Sequence, residues 1–496
     1  MAATADETRV VEWVKTKLYI GGEWRDASEG ATIDVEDPAT GEVIAKVADA
    51  TSADADAALA AADEAFRTWR RVAPRDRADV LRKAYDLVNE RADELALLMT
   101  MEMGKPVAES LGEITYANNF LRWYSEEAVR INGRFTTNET GKGRVLTMRQ
   151  PVGPCVFITP WNFPLAMGTR KIGPAIATGC TCVVKPAKQT PLSMLALAQI
   201  LEVAGLPGGV VNVITASSSG SIMQPLIEDP RTRKMSFTGS TPVGKQLIAQ
   251  SAEQVLKVSM ELGGNAPFLV FEDADLDAAV EGALLAKMRN GGEACTSANR
   301  FHVHESVAAE FADKLAARIG SLKVGRGTED GVKVGPLIDD TQRGKVAELV
   351  EDAVGKGAKV LTGGARVDGA GYFYEPTVLA GVTDDADLLA EEIFGPVAPI
   401  TTFSTDEEAI AKANDTEYGL VSYIFTQDVD RAFRVIEALD TGMIGFNQGM
   451  VSNAGAPFGG VKQSGYGREG GPEGLDEYLE TKYIAMNVGG DPTPLG

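Results

Sequence analysis

The sequence predicts a mixed α/β fold with two α/β domains and a small β extension, and three observations predict it. From residue 154, short apolar runs alternate with helix-like segments. Repeated strand–helix–strand units of this kind form a doubly wound, mainly parallel sheet with helices on both faces. A second alternation runs from about residue 266 to 445, and two strand-like segments lie outside both series.

The first alternation predicts buried strands at residues 155–159, 181–185, 210–214, 234–237 and 257–262. The strand candidates of the second alternation are residues 267–272, 300–304, 358–362, 398–402 and 421–425. Ligands of doubly wound sheets bind beyond the carboxyl ends of the strands. The segments Thr-Pro-Trp-Asn-Phe-Pro, Lys-Pro-Ala-Lys and Phe-Thr-Gly-Ser lie at those ends in the first series.

The segments outside the two alternations also have recognisable patterns. Residues 17–47 predict a small β meander, and residues 53–131, rich in Ala and Leu at helical spacing, predict several helices. Residues 133–150 suit a protruding hairpin, and residues 478–488 alternate like a strand. These two segments predict a shared oligomerisation sheet.

We expect three structural units. The first comprises residues 1–132, 151–261 and 446–477, the second comprises residues 262–445, and the oligomerisation segment comprises residues 133–150 and 478–496. No clear linker separates the units, so the boundary near residue 262 depends mostly on the motif there.

Charge and hydropathy exclude some partners. Lysines and arginines number 48 against 70 acidic residues, which gives a net charge of −22. Such a surface repels phosphate backbones and anionic lipid, so neither nucleic acid nor a membrane is an expected partner. No apolar run reaches the ~18 residues of a membrane span. The polar, acidic N-terminus is unlike a secretory signal, so we expect a cytoplasmic protein.

Three of the four cysteines predict core positions. Cys155, Cys180 and Cys182 lie in apolar, strand-like segments, where cysteine usually packs as a small core residue. The cysteine spacing fits neither a disulfide framework nor a zinc ribbon. His302 and His304 lie in a predicted strand with no other ligand cluster nearby, so no metal site is expected.

The fourth cysteine, Cys295, occurs in the same chain as a carboxylate and an amide that could act with it in catalysis. Cys295 follows Gly-Gly-Glu-Ala in an apparent loop, Glu261 lies in Met-Glu-Leu-Gly-Gly-Asn, and Asn162 lies in Thr-Pro-Trp-Asn-Phe-Pro. A thiolate can add to an aldehyde, and an amide with a backbone N–H can hold the oxyanion. A carboxylate can then activate water against the resulting thioester. Taken alone, each residue also has an ordinary structural interpretation: an inert core thiol, a solvated carboxylate or a turn amide.

Oxidation of an aldehyde also needs a hydride acceptor. The chain lacks a Gly-x-Gly-x-x-Gly segment after its first strand. Instead, Phe-Thr-Gly-Ser-Thr-Pro-Val-Gly (residues 237–244) follows a strand and opens a helix. The N–H groups of a helix N-terminus can bind a pyrophosphate, although this segment is also an ordinary helix cap.

Several co-linear segments resemble the aldehyde dehydrogenase superfamily over almost the full length. They are residues 159–164, 185–191, 237–244, 260–267, 292–300, 391–396 and 457–460. The resemblance implies that Cys295 is the nucleophile, Glu261 the base and Asn162 the oxyanion donor. It also implies a homodimer or homotetramer built through the hairpin and the C-terminal strand.

The resemblance further implies a nicotinamide cofactor. The residues that it places around the cofactor are Thr159, Trp161, Lys185, Lys188, Gly239, Ser240, Leu262, Glu392 and Phe394. Lys185 would contact the adenosine ribose, Glu392 the nicotinamide ribose, and Gly239 with Ser240 the pyrophosphate. Members that prefer NAD often have a glutamate at the position of Lys188. A lysine there can pair with a 2′-phosphate, so we expect NADP, with NAD as the alternative, unless Lys188 points to solvent.

Two arginines bear on the substrate. Arg170 follows Asn162 by eight residues, and Arg289 precedes Cys295 by six. Guanidinium groups bind carboxylates bidentately, although an arginine on a helix more often forms a surface salt bridge. The surrounding motifs resemble succinate-semialdehyde dehydrogenases, which implies that Arg170, Arg289 and Ser452 bind a distal carboxylate. Glutarate semialdehyde is a close alternative, because one methylene changes discrimination by only ~1–3 kcal/mol.

Two departures accompany this resemblance. Some members carry a second cysteine two residues after the nucleophile, whereas this chain has Ser297, so no redox switch is expected there. Glu293-Ala294 replaces the more common Gln-Thr.

Two other classes of function compete with an aldehyde dehydrogenase. A cysteine hydrolase or acyltransferase would usually need a histidine base, and only His302 and His304 exist. A non-catalytic structural protein would not need Cys295, Glu261 and Asn162 together. Both classes fit the sequence less well than an aldehyde dehydrogenase does.

Overall fold

The computed structural model describes residues 4–487. Its strands, in chain order, are β1 (Leu18–Ile20), β2 (Glu23–Arg25), β3 (Thr32–Asp37), β4 (Glu42–Ala48), β5 (Arg134–Thr137), β6 (Arg144–Pro151), β7 (Pro154–Ile158), β8 (Thr181–Lys185), β9 (Val211–Val213), β10 (Lys234–Thr238), β11 (Lys257–Glu261), β12 (Ala266–Val270), β13 (Ala298–His304), β14 (Lys359–Thr362), β15 (Thr377–Ala380), β16 (Val397–Phe403), β17 (Val421–Phe425), β18 (Met443–Phe446), β19 (Gly465–Tyr466) and β20 (Leu479–Met486).

The helices are α1 (Ala5–Trp13), α2 (Ser52–Trp69), α3 (Pro74–Glu90), α4 (Ala92–Met103), α5 (Val107–Glu127), α6 (Ala166–Thr178), α7 (Leu192–Ala204), α8 (Ser219–Glu228), α9 (Thr241–Ser251), α10 (Leu276–Met288), α11 (Ala308–Gly320), α12 (Asp340–Gly355), α13 (Asp387–Ala390), α14 (Asp406–Asn414), α15 (Val429–Ala438) and α16 (Glu473–Asp476). Helices α2 to α5 confirm the helical prediction for residues 53–131. Among the described residues, no helix is long and apolar enough to cross a membrane.

The first sheet has eight strands in the order β19-β11-β10-β7-β8-β9-β1-β2. Strands β7 to β11 pair in parallel, while β1, β2 and β19 pair antiparallel at its two ends. The doubly wound sheet is therefore confirmed. The predicted meander at residues 17–47 was wrong, because β1 and β2 join this sheet whereas β3 and β4 form a separate two-stranded sheet.

Alternate side chains of the first sheet enter two separate cores. Cys155 and Phe157 of β7 pack into one core, and Val156 and Ile158 pack into the other. Successive side chains of a strand point to opposite faces, so helices on both faces bury the whole strand. Buried parallel strands therefore appear in the sequence as continuous apolar runs, which is why these runs were informative.

The second sheet has seven strands in the order β14-β15-β16-β13-β12-β17-β18. Its pairs are parallel except for β14 with β15. Strands β15 and β18 were not predicted, because each is only four residues long and shows no clear period. Strand β14, predicted at residues 358–362, is an exposed edge strand.

A three-stranded antiparallel sheet has the order β20-β6-β5. The predicted hairpin is formed by β5 and β6, although β6 runs on to Pro151. Strand β20 pairs with β6 along its whole length, from Leu479 opposite Pro151 to Met486 opposite Arg144. Residue 488 of the predicted terminal strand, and residues 489–496, lie outside the described residues.

Candidate active site

The predicted site residues come together beyond the carboxyl ends of the first sheet. Thr159 directly follows β7, Lys185 ends β8, Gly239 follows β10 and Glu261 ends β11. The loop that joins α10 to β13 brings Cys295 to the same edge. This is where ligands bind in doubly wound sheets.

A cavity of about 250 Å³ connects these loops. The predicted residues that line it are Trp161, Asn162, Gly239, Ser240, Leu262, Cys295, Glu392 and Phe394. Residues not predicted also line it, namely Pro160, Met167, Thr238, Gly263, Gln342 and Lys345. Thr159, Lys185 and Lys188 are not part of this lining.

Two glycines allow the loop of Cys295 to pack closely against its neighbours. A Cβ atom on Gly264 would lie 2.2 Å from the Cys295 carbonyl oxygen. Gly292 has a φ of +80°, and a Cβ atom there would lie 2.2 Å from the Gly395 carbonyl oxygen. A residue with a side chain fits neither position, so the glycines fix the nucleophile loop between two other loops of the site.

Cys295 is partly exposed, whereas the other three cysteines are buried. Burial of its thiol raises the pKa of Cys295 to about 12, although Arg170 acts in the opposite direction. The thiol is therefore protonated at neutral pH. Its addition to a carbonyl requires loss of that proton, because the thiolate is the nucleophile.

Two donors can meet an oxyanion formed at Cys295. The Asn162 side-chain N–H₂ donates to the Glu293 carbonyl at 3.0 Å. An amide nitrogen carries two hydrogens, so a second donor remains. The backbone N–H of Cys295 donates no hydrogen bond within residues 4–487.

A buried network holds Asn162 in place. Lys105 donates to Glu113 at 2.6 Å and to the Asn162 carbonyl at 2.8 Å. Asn290 also donates to the Asn162 carbonyl, at 3.0 Å. Glu113 accepts the backbone N–H groups of Leu165 and Ala166 at the start of α6. The backbone of the Asn162 loop is therefore fixed from two sides.

Glu261 lies in a buried cluster of charges. Its Oε2 atom has no hydrogen-bond partner among the described residues and lies 3.8 Å from the Arg170 guanidinium. Burial, and then the negative charge of Glu469, raises the pKa of Glu261 above its ordinary value. Burial opposes ionisation of Glu469, but Lys171 and Arg170 hold its pKa below the ordinary value. Glu469 is therefore the charged member of the carboxylate pair, and Glu261 retains its proton more readily.

Arg170 pairs with Glu469 inside this cluster. It is 1% exposed, donates from Nε to Glu469 at 2.7 Å, and stacks 4.0 Å from the centre of the Phe458 ring. The sequence analysis predicted that Arg170 binds a substrate carboxylate together with Arg289 and Ser452. In the structure the Arg170 guanidinium pairs with Glu469, a carboxylate of the protein.

Arg289 and Ser452 do come together. Arg289 donates to the Ser452 hydroxyl at 3.1 Å, and its guanidinium lies 4.8 Å from the centre of the Phe163 ring. Both residues line a cavity of about 700 Å³ that also contacts Tyr116. Within residues 4–487, Arg289 forms no ion pair with a carboxylate. Its charge therefore faces this cavity without a partner from the described chain.

The predicted cofactor residues lie on neighbouring loops at the carboxyl ends of the first sheet and on the loop of Glu392, and we call these loops the cofactor groove. Lys185 donates to the Ser219 hydroxyl at 2.6 Å. Burial, and then the charge of Lys188, lowers the pKa of Lys185 to about 8. Lys188 is exposed and lies close enough to Lys185 to act on it. Two cations and a hydroxyl therefore meet at this end of the groove.

The middle of the groove is the N-terminus of α9. Ser240 is its N-cap, yet the serine side chain makes no capping hydrogen bond. The Thr159 hydroxyl nearby is buried and has no hydrogen-bond partner among the described residues. Backbone N–H groups at a helix start attract anions.

The loop with Glu392 and Phe394 closes the other end. Glu392 accepts the Gly264 backbone N–H at 3.0 Å, and Phe394 packs edge-to-face on Trp161 at 5.3 Å. Gln342 on α12 donates to the Phe394 carbonyl at 2.8 Å, and Lys345 donates to the Glu392 carbonyl at 2.7 Å. Phe394 has a φ of +54°, which is unfavourable for a bulky residue and is maintained by these contacts.

Comparison of the chain with models of known protein families identifies one family. The profile described as "Aldehyde dehydrogenase family" matches residues 24–484. The chain belongs to the aldehyde dehydrogenase family.

Individual relatives of this aldehyde dehydrogenase cover most of the chain. The succinate-semialdehyde dehydrogenase of Paenarthrobacter nicotinovorans is 59% identical over 90% of this chain and 99% of its own. The glutarate-semialdehyde dehydrogenase of Pseudomonas putida is 50% identical over 96% of this chain and 98% of its own. A crystal structure of an NADP-dependent enzyme from E. coli superposes with a TM-score of 0.95, at 48% identity, covering 96% of this chain and 98% of that one.

Several residues of this aldehyde dehydrogenase site escaped the sequence analysis. They are Lys105, Glu113, Tyr116, Lys171, Asn290, Gln342, Lys345 and Glu469. All but Tyr116 are charged or amide residues, and such side chains usually face solvent. Only the position of Lys171, directly after Arg170, was a usable signal.

Proposed function

We propose that this aldehyde dehydrogenase oxidises succinate semialdehyde to succinate, with NADP as the hydride acceptor and NAD as the alternative. The observation that carries the choice of substrate is the Arg289 guanidinium, which faces the larger cavity with no carboxylate partner in the described chain. A cation held in this way binds an anionic ligand group, and a charge-assisted hydrogen bond adds to that binding. Ser452 supplies a second donor at the same point.

In the proposed reaction, the Cys295 thiol loses its proton to water and the thiolate adds to the aldehyde carbon. Protonation of the resulting oxyanion gives a thiohemiacetal. The second N–H of Asn162 and the backbone N–H of Cys295 donate to the oxyanion as it forms. Such donors stabilise charge that develops in the transition state, because they are already oriented. A bound nicotinamide would accept the hydride and leave a thioester on Cys295.

Hydrolysis of the thioester then needs a base. Glu261 is the candidate, since its Oε2 atom is buried without a hydrogen-bond partner in the described chain. We assign Arg170 and Lys171 to holding Glu469, the second carboxylate of the cluster. This assignment replaces the predicted role of Arg170 at the substrate.

The groove suits a dinucleotide. The α9 N-terminus with Gly239 and Ser240 would hold the pyrophosphate, and the unpartnered Thr159 hydroxyl lies beside it. Glu392 would face the nicotinamide ribose, with Trp161, Leu262 and Phe394 as apolar walls. Lys185, Lys188 and Ser219 would take the adenosine ribose, and the two lysines favour a 2′-phosphate on it.

Reversing the charge of Lys188 should change the cofactor preference. In Lys188→Glu, the ratio of kcat/KM for NADP to that for NAD should fall about 10-fold or more, because a hydrogen bond to a charged group contributes about 1.5–3 kcal/mol. Steady-state rates with both cofactors give the ratio. Lys83→Glu makes the same charge change at an exposed position of α3 and should leave the ratio unaltered. An unchanged ratio in Lys188→Glu would mean that Lys188 only faces solvent.

Glutarate semialdehyde is the second candidate substrate. The relative from Pseudomonas putida has that name, and the cavity of about 700 Å³ has room for one more methylene. The anion would meet the same Arg289 and Ser452. Chain-length preference then depends on how far these donors lie from Cys295.

We also propose the predicted division into units. The doubly wound sheet would be the cofactor domain, the second sheet the catalytic domain, and the β20-β6-β5 sheet the oligomerisation segment of a homodimer or homotetramer. The exposed apolar side chains Phe135, Met148 and Tyr483 on that segment support its covering by a second copy. A cytoplasmic location remains a prediction from the sequence.

The substrate assignment is tested with the purified full chain and Arg289→Met. Wild-type protein should reduce NADP much faster with succinate semialdehyde than with butyraldehyde, which has the same carbon chain without the carboxylate. In Arg289→Met, KM for succinate semialdehyde should rise about 10- to 100-fold, because the lost charged hydrogen bond contributes about 1.5–3 kcal/mol. KM for butyraldehyde should change little.

Lys333 lines the same cavity, so Lys333→Met controls for a general loss of positive charge. Its effect on KM should be much smaller than that of Arg289→Met. Equal losses with both aldehydes in Arg289→Met would contradict the carboxylate site and leave an aldehyde dehydrogenase of another specificity.

A further inference from the structure

Tyr116 has an unexplained hydroxyl group beside the substrate cavity. It lies in the middle of α5, and its ring is fixed edge-to-face against Phe120 at a centroid distance of 5.0 Å. The hydroxyl oxygen is enclosed, yet it has no hydrogen-bond partner within residues 4–487. A buried hydroxyl without a partner costs free energy, so such groups usually meet a ligand or an ordered water.

The cavity that Tyr116 lines is the one that contains Arg289 and Ser452. The Arg289 guanidinium lies 5.8 Å from the centre of the Tyr116 ring and 4.8 Å from the centre of the Phe163 ring. The arginine therefore lies close to two aromatic side chains, while its Nη1 atom donates to Ser452. Because Ser452 accepts from Arg289, its own O–H is free to donate to a ligand.

The charges around Tyr116 indicate what kind of ligand atom would suit it. The positive charges of Arg170 and Arg289 and the negative charge of Glu469 act on its phenol. Burial nevertheless raises the pKa of Tyr116 above its ordinary value, so the phenol keeps its proton and acts as a donor. A donor beside an unpaired guanidinium and a free serine hydroxyl fits an anionic oxygen.

We propose that the Tyr116 hydroxyl donates a hydrogen bond to the distal carboxylate of the substrate and is a specificity-determining residue. With Arg289 and Ser452 it forms a site of three donors for the two oxygens of that carboxylate. The inference rests on the proposed function, because it assumes an aldehyde with an anionic far end.

Tyr116→Phe tests the inference, because it removes only the hydroxyl and keeps the ring against Phe120 and Arg289. KM for succinate semialdehyde should rise about 10-fold, as expected for loss of one hydrogen bond to a charged group. The kcat/KM for butyraldehyde should stay within about twofold of wild type. Succinate, used as an inhibitor of butyraldehyde oxidation, should bind about 10-fold more weakly, which measures carboxylate binding without any chemical step.

The control is Tyr372→Phe, which removes a tyrosine hydroxyl that bonds to Glu36 outside both cavities and should change none of these constants. An equal loss with succinate semialdehyde and butyraldehyde in Tyr116→Phe would overturn the inference, since the hydroxyl would then serve the reacting carbonyl. Wild-type constants in Tyr116→Phe, together with a selective loss in Arg289→Met, would overturn the inference and leave the proposed function standing. A wild-type enzyme that neither prefers succinate semialdehyde nor binds succinate would instead refute the proposed function itself.

Discussion

Replacing Cys295 with alanine should abolish aldehyde oxidation while the protein still binds its cofactor. The thiol forms the covalent intermediate in the proposed reaction, and no other cysteine can replace it, since Cys155, Cys180 and Cys182 are buried in the core. Loss of the nucleophile typically lowers kcat by about 10⁴-fold or more in enzymes with a covalent intermediate. Steady-state reduction of NADP with succinate semialdehyde measures the loss.

Two accompanying measurements make this result specific to Cys295. NADP fluorescence quenching or calorimetry should give a Kd for Cys295→Ala close to that of wild type, because the groove residues are untouched. Cys182→Ala, at a buried position of β8, should retain activity in the folded protein. A Cys295→Ala protein with substantial aldehyde oxidation would contradict the covalent mechanism and favour a direct hydride transfer from an aldehyde hydrate.

The first sheet could be predicted from the sequence because its strands are buried on both faces. Each one appears as an apolar run, and glycine- or proline-containing segments bound it, as at residues 181–185. Shorter strands give a weaker signal. Strands β15 and β18 are short, and β1 pairs with β9 through a single residue pair, Tyr19 with Val213, although about 190 residues separate them. The pairing of strands that are so far apart in sequence cannot be predicted from the local sequence pattern.

The candidate site was also predictable only in part from the sequence. The cavity around Cys295, Asn162 and Glu392 could be predicted, because several co-linear motifs specify it. The pairing of Arg170 with Glu469 could not be predicted, since Glu469 lies 299 residues further along the chain. Only the folded structure shows which protein carboxylate lies beside an arginine of this kind.

Replacing Glu261 with glutamine should stop the reaction after the first turnover. Formation of the thioester needs Cys295 and the oxyanion donors, whereas its hydrolysis needs a base, and glutamine cannot accept the proton of water. Rapid mixing with succinate semialdehyde and NADP should therefore show a burst of one NADPH per active site. The steady-state rate that follows should be about 10²- to 10⁴-fold lower than in wild type, which is the usual contribution of a general base.

The pH dependence of hydrolysis provides the sharper test of Glu261. Burial and Glu469 raise the pKa of Glu261 above its ordinary value of 4.5, so the protonated, inactive form persists to higher pH. The base form grows as pH rises through that raised pKa, and the wild-type decay rate of the thioester should therefore increase with pH over the same range. Glu261→Asp, which keeps a carboxylate, should retain this dependence at a lower rate, and Glu261→Gln should lose it. A thioester that decays with the same pH profile in Glu261→Gln as in wild type would show that hydroxide or another group is the base. Glu261 would then have only a structural role in the buried charge cluster.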